Sequence, residues 1–288
     1  MSRRVQYSRI VQAVRQLCID SCYELGEDVL EALREAEKSE TAPAAKGVLN
    51  QLLQNAEIAS NERIPICQDT GLAVFFVELG ADLRIEPPGD NPQATLEDAI
   101  NEGVQLGYTE GLLRKSVVAE PLFSRENTTD NTPAIIHYSH TSGDKLEISV
   151  ITKGGGCENK SRFKMFNPTA SADEISHWIC RITQEAGANA CPPFVIGVGI
   201  GGDFELSAIL SKKALLRSLK DKNPNENYAR LEDDILEKIN QTNVGPQGFG
   251  GRTTALGVKI EYAPCHIASL PVSVNIECHA HRHKMTNL

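Results

Sequence analysis

The spacing of apolar residues separates a helical beginning of the chain from a mixed remainder. Between residues 5 and 58, apolar side chains recur every three or four positions, which predicts helix interrupted near the stretch SETAPAAKG. The continuously apolar segment LAVFFVELG (72–80) predicts a buried strand, and helical spacing returns from Leu96 to Gly107. PAIIHYSH and KLEISVITKGG then predict two strands that pair as a hairpin through the turn TSGD.

The second half of the chain alternates helices with strands. Ser171 and Glu174 form a capping-box pattern ahead of an amphipathic helix, and FVIGVGIGG predicts a buried strand that runs into a glycine turn. Two helices are expected next, from Glu205 to Leu219 and from Asn225 to Ile239. After the long loop NVGPQGFGGRTT, two segments with clear alternation predict the last strands.

These elements predict an α/β fold: a single compact domain, residues 1–288, with a mixed sheet flanked by helices. Residues 1–60 are expected to form a helical N-terminal segment and residues 61–288 the core. The segment GVGIGG (197–202) matches GxGxxG, but a dinucleotide-binding unit also needs a parallel strand after the next helix. Because another helix pattern follows instead, we expect that unit to be missing and the glycines to permit close packing or a tight turn.

The composition favours a small substrate. The net charge is −9 and the pI is about 5.4, whereas surfaces that bind nucleic acid need clustered lysine and arginine. No apolar run approaches the roughly 20 residues that span a bilayer. The first residues are rich in arginine, as in an organelle presequence, but they lack serine enrichment and continue into a predicted helix, so we expect a cytoplasmic protein.

Three of the eight cysteines share a context that the others lack. Cys67, Cys191 and Cys278 each lie where a predicted element begins or ends, next to prolines or after a strand, whereas Cys18 and Cys22 lie on a helix face typical of buried small residues. Three convergent thiolates would suit an iron-rich site, since Mg²⁺ and Ca²⁺ need oxygen ligands. The spacing alone is equally compatible with three structural thiols that bind no metal.

Five ordered motifs resemble those of the iron–sulfur-dependent class I fumarate hydratases and the related L-tartrate dehydratases. They span residues 60 to 283, and they are ICQDTG, KGGGCENKS, NACPPFVIGVGIGG, NVGPQGFGGRTTALGV and CHIASLPVSVNIECHAHRH. The chain resembles the alpha subunit of the two-subunit form. The resemblance implies a [4Fe–4S] cluster held by Cys67, Cys191 and Cys278, with one iron open to substrate oxygens.

The resemblance also implies roles for five residues around that cluster. Gln68 and Asp69 match substrate-contacting residues, with Asp69 a candidate proton donor or acceptor. Arg114 matches an arginine that pairs with a substrate carboxylate, although it could also be a solvated helix end. Gly156 matches a position where the backbone approaches the substrate, and His266 matches a histidine beside the site. By itself His266 would read as a core histidine on an apolar strand.

Other candidate ligands are expected to be structural. Cys157 adjoins the glycine run and is treated as a neighbour of the site rather than a fourth ligand. Cys180 and Cys265 are interpreted as structural thiols, and the terminal HAHRH run as exposed surface rather than a metal site.

The resulting expectation is an iron–sulfur hydro-lyase subunit. Together with a beta subunit that carries the rest of the active site, in an α₂β₂ assembly, it would catalyse reversible hydration of fumarate to (S)-malate. HIASLPVSVNI favours that branch, whereas GGGC and CHAHR also suit an L-tartrate dehydratase alpha subunit, which is the alternative. An iron–sulfur binding module without turnover is the non-enzymatic alternative, and the dicarboxylate-binding residues argue against it.

Overall fold

A computed structural model describes residues 3–288, whose contacts divide the chain into two compact units. The first unit contains the residues up to Leu25, together with Ile58–Gly155 and Arg282–Leu288. The second contains Gly26–Glu57 and Gly156–His281. The segment predicted as a helical N-terminal region therefore contributes to both units.

Helices and strands occupy most of the described residues. The helices are α1 (Tyr7–Tyr23), α2 (Glu27–Ser39), α3 (Pro43–Glu62), α4 (Leu96–Glu110), α5 (Gly155–Glu158), α6 (Ala172–Ala186), α7 (Phe204–Ala214) and α8 (Glu226–Asn240), with 3₁₀ turns at Gly187–Ala190 and Pro246–Gly248. The strands are β1 (Arg3–Gln6), β2 (Leu72–Gly80), β3 (Leu83–Glu86), β4 (Ile135–Thr141), β5 (Leu146–Lys153), β6 (Arg162–Phe166), β7 (Phe194–Gly201), β8 (Ala255–Ala263), β9 (Leu270–Glu277) and β10 (His283–Asn287). The expected α/β class, with mixed sheets flanked by helices, is confirmed. Within the described part, no helix is long and apolar enough to cross a membrane.

The main sheet of the first unit has the strand order β10–β5–β2–β4. Strand β2 lies between β5, which is antiparallel to it, and β4, which is parallel to it. The predicted hairpin of β4 with β5 is therefore wrong, because the TSGD turn crosses the end of β2 instead of joining adjacent strands. Burial explains the order: β2 is apolar on both faces and takes a central place, whereas the largely exposed β4 takes the edge.

Helices α1 and α4 pack closely together beside this sheet. A Cβ atom on Gly103 would lie 2.6 Å from the Cβ of Val14, and one on Gly107 would lie 2.9 Å from the Cβ of Cys18. Only glycine fits at such distances, so these two glycines permit the close packing of the helices. Cys18 and Cys22 are fully buried in this core, as expected for small apolar residues.

The sheet of the second unit has the order β6–β9–β7–β8. Strands β7 and β8 are parallel, and α7 and α8 form the crossover between them. The second helix expected after the first is confirmed, and the parallel strand β8 comes only after both helices. The glycines of β7 serve packing, because a Cβ on Gly197 or Gly199 would collide with a carbonyl oxygen of α7.

Candidate active site

The CQDTG loop of the first unit leads into β2, and hydrogen bonds hold its backbone in place. Gly71 has a φ of 76°, a left-handed conformation that favours glycine, and the buried Tyr108 hydroxyl donates to the carbonyl oxygens of Thr70 (3.2 Å) and Gly71 (3.0 Å). Burial raises the pKa of Tyr108 well above its ordinary value, so the hydroxyl remains a donor. This support fixes the loop on which Cys67, Gln68 and Asp69 lie.

Asp69 joins this loop to the glycine-rich turn after β5. Its Oδ1 accepts from the N–H of Gly71 (3.0 Å), and its Oδ2 accepts from the N–H of Gly155 (2.8 Å). Its carbonyl oxygen accepts from Arg282 Nη1 at 2.6 Å. Both carboxylate oxygens therefore hold backbone groups, which gives Asp69 a positioning role in addition to any chemical one.

Arg114 lies beside the same loop. The hydroxyl of Thr70 donates to the Arg114 carbonyl oxygen at 3.1 Å, while the arginine itself is exposed. The half-buried Cys67 thiol donates to Gln68 Oε1 at 3.5 Å, and Gln68 is exposed. The first unit thus brings Cys67, Gln68, Asp69 and Arg114 into one neighbourhood.

The backbones of two further predicted cluster ligands lie near each other in the second unit. Cys191 comes just before β7 and Cys278 just after β9, and the antiparallel pairing of Val195 with Glu277 puts these ends at one edge of the sheet. The N–H of His279 donates to the Cys191 carbonyl oxygen at 3.2 Å, so Cys191 adjoins the residue after Cys278. Cys191 is exposed and has a φ of 54° and a ψ of 63°. A non-glycine residue in that region is strained by about 1 kcal/mol or more, and such strain is common at functional sites.

A compact donor group surrounds Cys278. The Sγ atoms of Cys157 and Cys278 and a carboxylate oxygen of Glu277 all lie within 4.8 Å of one another. The exposed fractions are 5% for Cys157, 0% for Glu277 and 9% for Cys278. Sequence reasoning set Cys157 aside as a neighbour and missed Glu277, although its place directly before Cys278 was visible. This set of two soft thiols and one carboxylate can hold a metal ion.

Gln247 is a second residue that the sequence reasoning missed. Its backbone N–H and its Nε2 both donate to the Pro192 carbonyl oxygen, at 2.9 and 2.8 Å. The same Nε2 lies 3.1 Å from His279 Nδ1. The glutamine of the GPQG loop therefore contacts the backbone of the residue after Cys191 and the side chain of the residue after Cys278, and only its presence in a recognised motif hinted at this.

His266 lies elsewhere in the second unit. It is exposed in the turn between β8 and β9, so the interpretation as a core histidine on a strand is wrong, and its Nδ1 accepts from the N–H of Ala268 at 3.1 Å. The eight residues of β9, which lead from this turn to Cys278, span roughly 25 Å. A single chain therefore does not bring His266 to Cys191 and Cys278. Gly156 is exposed, and a Cβ there would meet no atom within 4 Å.

The HAHRH run is largely buried, contrary to the expectation of an exposed surface. His281 is 0% exposed and Arg282 is 2% exposed. Arg282 binds the Asp69 carbonyl oxygen, and its own carbonyl oxygen accepts from the N–H of Thr152 at 3.1 Å. These residues are buried directly before strand β10, a context that local composition does not reveal.

Comparison with known proteins identifies the relatives of this chain. A sequence model described as fumarate hydratase (Fumerase) matches residues 11–287. The chain belongs to the fumarate hydratase family. A protein of Methanocaldococcus jannaschii, provisionally named L(+)-tartrate dehydratase subunit alpha, is 37% identical over 279 residues, covering 95% of each chain. The L(+)-tartrate dehydratase subunit alpha of Escherichia coli strain UTI89 is 33% identical over 260 residues, covering 89% of this chain and 83% of that one.

Membership of the fumarate hydratase family makes the chain a hydro-lyase. The family match covers both units, so every candidate residue discussed above lies within it. The buried donor set around Cys278 fits a metal centre with soft ligands, because thiolates select iron–sulfur clusters and other thiophilic metals over hard cations. Both relatives are named for tartrate, whereas we expected fumarate from the sequence.

Proposed function

We propose that this chain is the alpha subunit of an iron–sulfur hydro-lyase that dehydrates L-tartrate. The observation that carries the proposal is the near full-length match to two proteins named as L(+)-tartrate dehydratase alpha subunits, at 37% and 33% identity. Loss of water from L-tartrate gives an enol that tautomerises to oxaloacetate. The initial expectation of fumarate has less support, since it rests on the family's name and one motif.

Cys67, Cys191 and Cys278 are the proposed ligands of a [4Fe–4S] cluster. The backbone of Cys191, before β7, lies next to the residue that follows Cys278, after β9, and this proximity supports the set. Cys67 would be the third ligand. Three thiolates leave one iron without a protein ligand. When bound, the cluster would supply a Lewis acid for the hydroxyl group that leaves.

The residues of the first unit would bind and orient the substrate. Arg114, exposed beside the CQDTG loop, is suited to pair with a substrate carboxylate through its two-pronged guanidinium group. The exposed amide of Gln68 can donate to a substrate hydroxyl. Asp69 would hold the loop against the glycine turn. Gly156 lies in the second unit, and its approach to the substrate stays a prediction. A catalytic role for Asp69 or His266 stays a prediction.

A beta subunit is the expected partner. The relatives are named as alpha subunits, which supports a second type of chain in the assembled enzyme. We propose that this partner carries the remaining carboxylate-binding and proton-transfer groups, in an α₂β₂ assembly. The alpha chain alone should then show no turnover.

The substrate test compares three compounds under anaerobic conditions. The chain is purified with its beta partner, and formation of oxaloacetate from L-tartrate is compared with fumarate formation from (S)-malate and with fumarate hydration. We expect kcat/KM for L-tartrate to exceed that for (S)-malate by at least about tenfold, a difference that one lost hydrogen bond to a substrate hydroxyl can produce. The reverse preference would favour the second candidate, fumarate hydration, which the description of the family supports.

Variants test the assigned roles. Replacing Cys67, Cys191 or Cys278 by serine should remove the iron, whereas C180S should retain it as a matched control. Arg114→Ala should raise KM roughly 10- to 100-fold, as loss of one charge-assisted pair of hydrogen bonds implies, while the exposed Arg84→Ala should leave KM unchanged. Normal iron content without turnover of any of these acids by the assembled protein would favour the non-enzymatic binding module.

A further inference from the structure

The donor group formed by Cys157, Glu277 and Cys278 differs from the set proposed for the cluster. It shares only Cys278 with that set, and it adds a thiol and a carboxylate from the second unit. Buried thiols alone are common as small apolar residues. A carboxylate with 0% exposure, whose oxygen lies within 4.8 Å of two thiol sulfurs, is different, because carboxylate oxygens and thiolates are both ligands of divalent thiophilic cations.

The backbone holds these donors in place. Cys157 lies in α5, where its thiol donates to the Ala190 carbonyl oxygen at 3.4 Å. The Ser161 hydroxyl, just beyond α5, accepts from the N–H of Ile276 at 3.4 Å. Glu277 is the last residue of β9 and pairs with Val195. The donor group is therefore built on the end of a central strand and on a short helix that is hydrogen-bonded nearby, as a preorganised site requires.

The spacing is close to that of a tetrahedral metal site. Two sulfur atoms that each lie about 2.3 Å from a zinc ion are about 3.8 Å apart, and a sulfur and a carboxylate oxygen on one ion are about 3.5 Å apart. The donor atoms here lie within 4.8 Å of one another, so closure onto an ion requires each distance between donors to shorten by at most about 1.3 Å. Two thiolates and one carboxylate carry three negative charges, which a divalent cation partly neutralises.

We propose that the cluster-free chain binds one divalent thiophilic cation, such as Zn²⁺ or Fe²⁺, through Cys157, Glu277 and Cys278. The fourth position of the tetrahedron is left for water. If Cys278 also holds the cluster, as the proposed function requires, the two metal centres are mutually exclusive. A bound Zn²⁺ then blocks cluster loading until a chelator removes it.

The test uses Co²⁺ as a spectroscopic probe on the full chain, freed of cluster and kept reduced and anaerobic. Thiolate-to-cobalt charge-transfer absorption should report one Co²⁺ per wild-type chain. C157S should bind Co²⁺ at least about tenfold more weakly, whereas C67S and C191S should bind it as the wild type does. Binding that is unchanged in C157S, or lost in C191S, would overturn the proposal.

X-ray absorption of the Zn²⁺-loaded wild-type chain gives a readout that needs no variant. The proposal requires two sulfur and two oxygen or nitrogen neighbours around zinc, whereas capture by Cys67, Cys191 and Cys278 would give three sulfurs and refute it. Cluster reconstitution separates this proposal from the proposed function. C157S should take up iron and sulfide as the wild type does, and C278S should lose both the Co²⁺ site and the cluster.

Discussion

Replacing Asp69 by asparagine tests whether this carboxylate holds the CQDTG loop to the glycine turn. In the structure each carboxylate oxygen accepts one backbone N–H, from Gly71 at 3.0 Å and from Gly155 at 2.8 Å. An asparagine side chain has a single acceptor oxygen. Its amide NH₂ must therefore face one of the two N–H groups, so that one hydrogen bond is lost and two donors oppose each other.

The expected loss of stability follows from these contacts. A hydrogen bond to a charged group contributes about 1.5–3 kcal/mol, and we take about 2 kcal/mol for the asparagine variant because the site is partly exposed. The unfolding entropy of a 288-residue chain is roughly 0.6 kcal/mol per kelvin, so Tm should fall by about 3 °C. Asp69→Ala removes both hydrogen bonds, about 4 kcal/mol in total, and should lower Tm by about 7 °C.

The assay is thermal unfolding of the anaerobic chain, followed by far-ultraviolet circular dichroism. Asp90 is exposed in a turn, and Asp90→Asn serves as the matched control, with an expected change within about 1 °C. The order of Tm should be control, then asparagine, then alanine. An asparagine variant as stable as the control would refute the anchoring role of Asp69. If the variant also lost turnover in the assembled enzyme while its Tm stayed unchanged, the role of Asp69 would be purely chemical.

Three further predictions concern packing, pH and reactivity. Gly199→Ala should lower the urea midpoint of unfolding, since the added methyl group meets a carbonyl oxygen of α7. Gly47→Ala, on an open part of α3, should instead raise the free energy of unfolding by about 0.5–1 kcal/mol. Equal effects of the two substitutions would contradict the close packing of β7 against α7. Burial raises the pKa of Glu40, but hydrogen bonds from backbone N–H groups lower it by more, so the pKa in the folded chain is below its ordinary value. The stabilisation by the Glu40 carboxylate is therefore present above pH about 4.3 and is lost as the pH falls through the folded pKa. The stability difference between wild type and Glu40→Gln, measured in urea, should therefore shrink in acid, and a constant difference would reject this reasoning. In native protein the exposed Cys265 should react with maleimide, while Cys18, whose pKa is raised by burial, should react only on unfolding, as mass mapping can check.

Local patterns in the sequence were sufficient where an element is decided by its own residues. Strand β2 was predicted with its observed bounds because nine successive residues are compatible with burial on both faces. The start of α6 was predicted because Ser171 caps it, with its hydroxyl accepting from the N–H of Glu174 at 3.1 Å. Such features depend on neighbours within a few positions.

The errors concern partners that are distant in the sequence. The false hairpin arose because a four-residue turn between two strands normally joins neighbours, and nothing in the turn reveals that β2 inserts between them. The burial of His281 and Arg282 depends on where β10 pairs, with β5 about 130 residues earlier. For the same reason Glu277 was missed, since its partners Cys157 and Cys278 meet only once β9 is placed in the sheet.

The three cysteines proposed to bind the cluster lie outside helices and strands. Substitutions at these positions should therefore change iron binding much more than the stability of the cluster-free chain. Cys191 is exposed, and its carbonyl oxygen accepts from the N–H of His279, a bond that serine keeps, so C191S should lower the free energy of unfolding of the cluster-free chain by less than about 1 kcal/mol. Cys18 is 0% exposed in the α1–α4 core, where a serine hydroxyl must be desolvated, so C18S should lower it by about 1–3 kcal/mol. Iron content should change in the opposite order, with C191S losing iron and C18S retaining it. A C18S chain that folds but binds no iron, or a C191S chain that unfolds, would show that these two roles are not separated along the chain.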